Sequence, residues 1–210
     1  MKRNRWLPVI VLALIFGAGV PGLRAATIID EWASVKAPPP PELKPVTVDS
    51  KTTALLMIDL LQRNCGHRQR CLAEIPAMKK LLDAARAADA TVIYSGFGQV
   101  PPSDIINDVA PTANEPMIHS DADKFLDTDL DKMLRDKGIK TVITAGTSAN
   151  GGVLFTAAAA ALRGYAVIVP VDGISSDDPY GEQFTVWNLA RASPVFVKHV
   201  TLTRSDMIKF

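Results

Sequence analysis

Long apolar runs alternate with segments of helical periodicity from residue 53 onward. The run TALLMID at 53–59 is continuously apolar until its final Asp59, which is the pattern of a strand buried on both faces. Residues 75–88 repeat alanine and leucine on one helical face, and the apolar run at 91–95 follows. This order predicts a strand, a helix and a second buried strand, which together form a βαβ unit.

The stretch KTVITAGTSANGGVLFTAAAAALRG at 140–164 predicts a strand, a tight loop and a helix in immediate succession. The β-branched residues 141–144 favour a strand, whereas the alanine-rich residues 153–163 favour a helix that ends at Gly164. The first N–H groups of such a helix lack intrahelical partners and attract negative charge. The intervening loop GTSANGG at 146–152 is therefore a candidate site.

The remaining segments continue the alternation. They are a loop at 96–120 with a short strand at 116–118, a helix at 128–137, a strand at 165–170, a helix at 179–190 and a strand at 195–202. Strands that alternate with helices specify a parallel sheet with helices on both faces. Ligands bind such sheets at the carboxyl ends of the strands, where we expect Asp59, the GTSANGG loop and Asp172 to meet.

Residues 1–25 have the pattern of a signal peptide. Three basic residues precede the apolar segment 6–20, and the small residue Ala25 stands where a signal peptidase would cut. An uncleaved membrane anchor is the alternative, but about 15 apolar residues fall short of the roughly 20 needed to span a bilayer. We therefore expect a periplasmic or secreted protein that has no membrane contact after cleavage.

Residues 26–50 are predicted to form an extended arm, because the segment KAPPPPELKP at 36–45 is too rich in proline for a helix or a central strand. Residues 51–210 then form one α/β domain, since a chain of 210 residues with 48% apolar content commonly builds a single core. Residues 1–25 hold four of the 23 basic residues and none of the 22 acidic ones, so the rest of the chain has a net charge of −3. This charge, without a basic cluster, argues against a nucleic-acid partner.

Cys65 and Cys71 are the two cysteines of the chain and lie six positions apart in a predicted polar loop. In an oxidising compartment they can form a disulfide, which would add about 2 kcal/mol of stability. A catalytic thiol, or a metal pair with His67, is the alternative, although the spacing matches no zinc motif. We expect the disulfide.

Asp59 is the candidate for proton transfer. A carboxyl at the end of a buried strand loses hydration, which raises its pKa and suits a general acid or base near neutral pH. With helix N–H donors opposite, such a site can move a proton and stabilise a developing anion. An ordinary aspartate that starts a loop is the alternative.

Ser148 suggests a different chemistry. It is followed by Asp172 and His199, in the residue order of an α/β-hydrolase triad. However, Asn150 breaks the G-x-S-x-G motif, and serine in a turn before a helix is more often a cap. A serine hydrolase that uses Ser148 is therefore an alternative.

Three segments resemble the isochorismatase-like hydrolases, also called the cysteine hydrolase superfamily: MID at 57–59, KFLDTDLDKMLRDKGIKTVITAGT at 124–147 and ALRGYAVIVPVDGISSD at 161–177. The resemblance implies a three-layer α/β/α sandwich with a mainly parallel, Rossmann-like central sheet. It also implies a site with an aspartate, a lysine and usually a cysteine at the start of the helix after the central strand. Asp59 falls on the family aspartate.

The family's nucleophilic cysteine falls on Gly152, so an acyl-thioenzyme is excluded. True isochorismatases also resemble this chain in having glycine there, and they hydrolyse a vinyl ether after protonation by the aspartate. By analogy, Asp59 protonates an alkene carbon of a small organic substrate, and water attacks the resulting oxocarbenium carbon. The family's cis peptide bond maps to Thr147-Ser148. The residues implied in substrate or oxyanion binding are Thr147, Ser148, Asn150, Gly151 and Gly152.

The family lysine has two candidates in this chain. Counting back from Phe125 by the family spacing reaches His119, whose side chain can supply a proton or a positive charge. Lys124 is the nearest ammonium in sequence, although a solvated surface lysine is the alternative there. The chain has no Asp/His/His arrangement of the nicotinamidase type, so we expect neither a metal nor a cofactor.

Two functions thus stand beside the serine hydrolase. One is an exported hydrolase that acts on a small organic molecule through Asp59, with His119 and Lys124 as further catalytic candidates. The other is a binding protein of the same family that keeps the pocket without turnover. The resemblance also allows a homo-oligomer.

Overall fold

The computed structural model describes residues 25–210 of the chain. The chain divides after Pro39, and Pro40–Phe210 forms the larger unit. The predicted signal peptide lies outside the described residues, except for Ala25. Within residues 25–210, no helix is both long enough and apolar enough to cross a membrane.

The first unit contains the short helix α1 (Ile28–Glu31). Thr27 caps it, since its hydroxyl accepts the N–H of Asp30 while the Asp30 carboxylate accepts the N–H of Thr27. A 3-10 turn at Trp32–Ser34 follows, and residues 35–45 contain no helix or strand.

The larger unit alternates strands with helices. The strands are β1 (Val46–Thr47), β2 (Thr53–Ile58), β3 (Thr91–Gly96), β4 (Met117–His119), β5 (Thr141–Thr147), β6 (Ala166–Pro170), β7 (Ile174–Ser175), β8 (Val200–Thr203) and β9 (Ile208–Lys209). The helices are α2 (Gln69–Ala87), α3 (Leu130–Asp136), α4 (Leu154–Leu162), α5 (Pro179–Arg191) and α6 (Pro194–His199). A separate two-stranded pairing joins β1 to β9.

The main sheet has the strand order β4-β3-β2-β5-β6-β8, and β7 pairs with the end of β5. Its strands pair in parallel. The chain moves outward from β2 to β4 and then returns to β5 on the other side of β2. The carboxyl ends of β2 and β5 therefore lie side by side where the strand order reverses, which is the usual ligand position in such sheets.

β2 separates two apolar layers because it is buried on both faces. Leu55 belongs to one apolar cluster with Met78 of α2. Leu56 belongs to the other cluster, with Leu134 of α3 and Ala157 of α4. The predicted three-layer α/β/α sandwich with a mainly parallel sheet is confirmed.

The strand predicted at 195–202 is wrong in its first half. Residues Pro194–His199 form α6, and the strand begins only at Val200. The hydroxyl of Ser193 accepts the N–H of Val195, and the proline at the first helical position has no N–H to leave unbonded. This helix start outweighs the strand preference of the valines that follow.

The helix predicted at 75–88 begins earlier, at Gln69. Its added turns carry Arg70, which pairs with Glu182 of α5, and Cys71, which is bonded to Cys65. The disulfide and the Arg70–Glu182 ion pair thus hold the first turns of the helix, whose polar residues have no apolar periodicity. The predicted disulfide is confirmed.

Candidate active site

Asp59 follows β2 in a left-handed backbone conformation, with a φ of 51°. Aspartate adopts this region more readily than most residues do. Its N–H donates to the carbonyl oxygen of Ser95 at 3.2 Å, and the residue is only 6% exposed. The turn therefore keeps the carboxyl group at the end of the central strand and away from bulk water.

Asp59 forms a buried ion pair with Lys124. Lys124 Nζ lies 2.8 Å from Asp59 Oδ2, and the lysine side chain is 1% exposed. The hydroxyl of Ser95, on β3, donates to Asp59 Oδ1 at 2.9 Å. Both carboxylate oxygens therefore have a partner, which holds the carboxyl group in one orientation.

The ammonium of Lys124 has no N–H group left for a substrate. Besides pairing with Asp59, it donates to the backbone oxygen of Ser120 at 2.9 Å and to that of Asp121. An ammonium has three N–H donors, so all three are used. Lys124 is thus a fixed positive charge that acts through Asp59, and the solvated-surface alternative for this residue is wrong.

Packing against α4 and the chain that follows it holds the Lys124 segment in place. The N–H of Lys124 donates to Thr156 Oγ1 of α4 at 3.2 Å. The adjacent Phe125 ring lies 6.1 Å from the ring of Tyr165 and 4.7 Å from the guanidinium carbon of Arg163. These contacts of Phe125 hold the segment beside Lys124 against the body of the domain.

Burial raises the pKa of the Asp59 carboxyl above its ordinary value, while Lys124 and Ser95 oppose that rise. A raised pKa increases the protonated fraction of the carboxyl near neutral pH. A protonated carboxyl in a cavity can donate its proton, so this environment suits a general acid.

The end of β5 passes very close to β2. A Cβ at Gly146 would lie 2.0 Å from the carbonyl oxygen of Ile58, and the φ of Gly146 is 134°, so only glycine fits. The peptide bond Thr147-Ser148 is cis, as the family resemblance predicts. Residues Ala149–Val153 then form a turn that is kinked at Gly151, with φ −124° and ψ −107°, and that leads into α4.

Gly152 lies directly beside Asp59. A Cβ at this position would lie 3.2 Å from Asp59 Oδ2 and 2.9 Å from Ile58 Cγ2. The second distance is shorter than real Cβ contacts, so any side chain here would require the neighbouring residues to move. Gly152 therefore lets the backbone of this turn pass close to the Asp59 carboxyl, with no room for a side chain between them.

A cavity of about 420 Å³ opens over these two strand ends. Its lining residues are Asp59, Asn64, Arg68, Phe97, Thr147, Ser148, Gly152 and Asp177. The volume lies in the range of sites for small organic molecules. Four of the predicted site residues, Asp59, Thr147, Ser148 and Gly152, are thus brought together.

His119 is not brought to this cavity. It is exposed at the end of β4, where its Nε2 lies 2.8 Å from the backbone oxygen of Val100. It lines a separate cavity with Ser120 and Asp121. The charge beside Asp59 comes from Lys124 instead.

Asn150 and Gly151 also lie outside the cavity lining, although Ser148 between them and the strand lines it. Asn150 Oδ1 accepts the hydroxyls of Ser148, at 2.8 Å, and of Ser176, at 2.9 Å. The N–H of Gly151 donates to the backbone oxygen of Ser148 at 3.0 Å. Both residues therefore shape the turn that carries Ser148 to the cavity.

The groups of a serine hydrolase triad are bonded elsewhere. The Ser148 hydroxyl donates to Asn150, and the Asp172 carboxylate accepts both the N–H and the hydroxyl of Ser205, at 2.7 and 2.8 Å. His199 is the last residue of α6. Among residues 25–210, no hydrogen bond connects Ser148, His199 and Asp172. The expectation that Asp172 meets Asp59 at the site is wrong, because Asp172 does not line the cavity.

Sequence reasoning missed Arg68, whose side chain enters the cavity from the disulfide loop. Its Nη2 donates to Thr147 Oγ1 at 2.7 Å, across 79 positions of sequence. The loop closed by Cys65 and Cys71 directly follows the Asp59 turn. That proximity is the signal that could have directed attention to its polar residues.

The structure offers neither a free cysteine nucleophile nor, in the part of the chain that it describes, a cluster of metal-binding side chains. Both cysteines of the chain are in the disulfide, so no thiol is available. Among residues 25–210, no group of three or more His, Cys, Asp or Glu residues could hold a metal ion.

The isochorismatase domain matches residues 53–203 of this chain. The chain belongs to the isochorismatase family. The match runs from β2 to β8 and so includes Asp59, Lys124 and Gly152. The family predicted from the sequence resemblance, the isochorismatase-like hydrolases, is therefore confirmed.

Solved structures show the same fold. An isochorismatase-like hydrolase from Alkaliphilus metalliredigens is 24% identical with a TM-score of 0.65, over 74% of this chain and 95% of that one. N-carbamoylsarcosine amidase from Thermoplasma acidophilum is 24% identical with a TM-score of 0.62, over 74% and 97%. A nicotinamidase from Staphylococcus aureus is 19% identical with a TM-score of 0.61, over 67% and 92%. No curated protein is significantly similar to the chain.

Proposed function

We propose that this protein hydrolyses a small organic substrate by proton transfer from Asp59, without a cysteine nucleophile. The observation that carries the proposal is the cavity of about 420 Å³ whose lining includes the buried Asp59 and also Gly152, which has no side chain to act as a nucleophile. A substrate in this cavity can accept a proton from the Asp59 carboxyl. The family gives the reaction class, and the cavity gives the size of the molecule.

A vinyl ether is the substrate group that fits this arrangement. Protonated Asp59 donates its proton to the alkene carbon, and the adjacent carbon becomes an oxocarbenium centre. Water adds to that centre and loses a proton, which returns to Asp59. The hemiketal that results breaks its bond to the former ether oxygen and gives a carbonyl compound and an alcohol.

Lys124 contributes to this reaction through Asp59. Donation of the proton leaves a carboxylate whose Oδ2 faces the ammonium at 2.8 Å. The fixed positive charge stabilises that carboxylate in a site of low dielectric constant, and it is already in place before the reaction. Ser95 stabilises the other oxygen in the same way.

The test is a turnover screen of vinyl ethers, amides and lactones with the wild-type protein and Asp59→Asn. Asp83→Asn, which removes an exposed carboxylate of α2, is the matched control. The double variant Asp59→Asn/Lys124→Met removes both buried charges, so that neither is left without a partner. It tests whether lost turnover in Asp59→Asn comes from unfolding. We expect vinyl ether turnover in the wild type and in Asp83→Asn only. Amide turnover that survives Asp59→Asn, or no turnover by any variant, would contradict the proposal, and the second result favours a binding protein.

We also propose that the chain is exported and cleaved after Ala25. The N-terminal pattern and the Cys65–Cys71 disulfide support this, because disulfides persist in oxidising compartments. Intact mass of the native protein should correspond to a chain that begins at Ala26, with both cysteines unreactive to iodoacetamide until they are reduced. A full-length chain with reactive thiols would contradict it.

A further inference from the structure

Arg68 presents a guanidinium to the same cavity. Its Nε donates to the backbone oxygen of Asn64 at 3.0 Å, and its Nη2 donates to Thr147 Oγ1 at 2.7 Å. Thr147 is fully buried and donates its own hydroxyl to the backbone oxygen of Ser175 at 3.0 Å. Arg68 is therefore held by Asn64, which precedes the disulfide loop, and by Thr147 of β5, so its position is fixed before any ligand binds.

The remaining partner of Arg68 is exchangeable. Arg68 Nη1 lies 2.9 Å from Asp177 Oδ1, and the side chain of Asp177 is 81% exposed. A pair with so solvated a carboxylate contributes little, because water can replace the interaction at small cost. The Arg68 side chain is only 20% exposed, so the guanidinium is the sheltered member of the pair.

A guanidinium has five N–H donors, and the described residues accept three from Arg68. A ligand carboxylate that displaces Asp177 can bind the guanidinium through two parallel hydrogen bonds, a geometry that arginine favours. Displaced Asp177 would return to water with little loss of hydration. Arg68 should therefore bind a ligand carboxylate inside the cavity in preference to the exposed carboxylate of Asp177.

We infer that Arg68 binds the carboxylate of a small organic acid and that Asp177 occupies Arg68 when the cavity is empty. Arg68, Thr147, Gly152 and Asp59 line one cavity, so a molecule held at Arg68 by its carboxylate extends toward the Asp59 carboxyl. This inference rests on the proposed function, since it names the substrate class of that site. Asp177 is then an internal competitor of the substrate.

The test is a calorimetric titration of the mature protein with benzoate and with benzamide, which has the same shape and no charge. Asp177→Asn should tighten benzoate binding about 2- to 5-fold, because the competing carboxylate is gone. Arg68→Gln should weaken it about 10- to 100-fold, and neither substitution should change benzamide binding. Arg63→Gln and Asp104→Asn, which alter another Arg–Asp pair of this region, are the matched controls and should leave benzoate binding unchanged.

Equal binding of benzoate and benzamide, no benzoate binding, or benzoate binding that survives Arg68→Gln would overturn the inference. So would weaker benzoate binding in Asp177→Asn. Titration of Asp59→Asn/Lys124→Met with benzoate distinguishes failure of the carboxylate site from failure of the proposed function, because this variant lacks the proposed acid and keeps Arg68. Benzoate binding that depends on Arg68, in a protein that turns over no vinyl ether, keeps the carboxylate site and removes the hydrolase.

Discussion

Lys124 Nζ lies 2.8 Å from Asp59 Oδ2, with both side chains almost fully withdrawn from water. Moving a single carboxylate or ammonium into such a place costs several kcal/mol of hydration free energy, so each charge depends on the other. The stability of the fold is therefore coupled to the charge state of the proposed acid.

Lys124→Met should lower the free energy of unfolding by about 3–5 kcal/mol at neutral pH, because it leaves the Asp59 carboxylate buried without a cation. The loss of Lys124 raises the pKa of Asp59 further, since the ammonium is what opposes the effect of burial. A carboxyl whose pKa is raised by folding stabilises the folded state at low pH and loses that contribution as pH rises. The deficit should therefore be small below about pH 4 and grow upward from there.

Urea unfolding of the wild type and the variant across this pH range measures the effect. The control is Asp59→Asn/Lys124→Met, which removes both charges and should recover most of the stability. A deficit that is the same at pH 4 and pH 8, or one that the second substitution does not relieve, would argue against a buried pair.

The pH profile of turnover should report the protonation of Asp59. Because the reaction needs the acid form, kcat/KM should fall as pH rises through the Asp59 pKa. Ser95→Ala removes a hydrogen bond that lowers this pKa, so the falling limb should move to higher pH. Ser193→Ala, which removes the cap of α6, is the control and should leave the limb in place. A limb that rises with pH, or moves downward in Ser95→Ala, would be inconsistent with a general acid.

Gly152→Ala should slow turnover and lower stability. The added Cβ would meet Ile58 Cγ2 at 2.9 Å and Asp59 Oδ2 at 3.2 Å, and overpacking of this kind costs about 1–3 kcal/mol. Gly152→Cys should likewise fail to create an amidase, because the thiol would displace the Asp59 carboxyl. Thermal melting and an amide assay check both variants. Full stability in Gly152→Ala, or thiol-dependent amide hydrolysis in Gly152→Cys, would show that the site has more room than the structure gives it.

Glu74 on α2 predicts a second pH effect, remote from the reaction. Burial and the nearby Glu182 and Asp172 raise its pKa from 4.5 to about 8, although Arg70 opposes them. One of its oxygens is buried without a hydrogen-bond partner among the described residues. The wild type binds more protons at Glu74 when folded, so this site loses stability as pH rises from 4.5 toward 8.

Glu74→Gln removes that loss. Its free energy of unfolding should match that of the wild type near pH 5 and exceed it at pH 9 by about 1–2 kcal/mol, after allowance for solvent screening of this half-buried group. Calorimetry at both values measures it. A difference that does not change with pH would mean that Glu74 keeps an ordinary pKa.

The sequence was sufficient for the sheet and for the place of Asp59. A continuous apolar run that ends in an acid is a local pattern, and parallel sheets gather their strand ends at one edge. The same reasoning placed the loop at 146–152 at this edge, and the family resemblance placed Gly152 at the position of the nucleophile. It failed for α6, where Ser193 and the following proline start a helix among residues that favour strands.

Lys124 and Arg68 could not be placed in the site from sequence because each reaches it through a partner that is distant in the chain. Lys124 Nζ pairs with Asp59 at the end of β2, and its other two partners are carbonyl oxygens of the turn just before it. Arg68 reaches Thr147 across 79 residues. Charged side chains whose role depends on contacts between distant segments cannot be told from ordinary surface charges until the fold is known.

The most direct measurement is the rate of hydrolysis of a small vinyl ether by the wild type and by Asp59→Asn, with each protein shown to be folded. If Asp59 is the general acid, the substitution should lower kcat by about 10²- to 10⁴-fold, while binding of the substrate changes little. A variant that keeps the wild-type kcat would contradict the central claim.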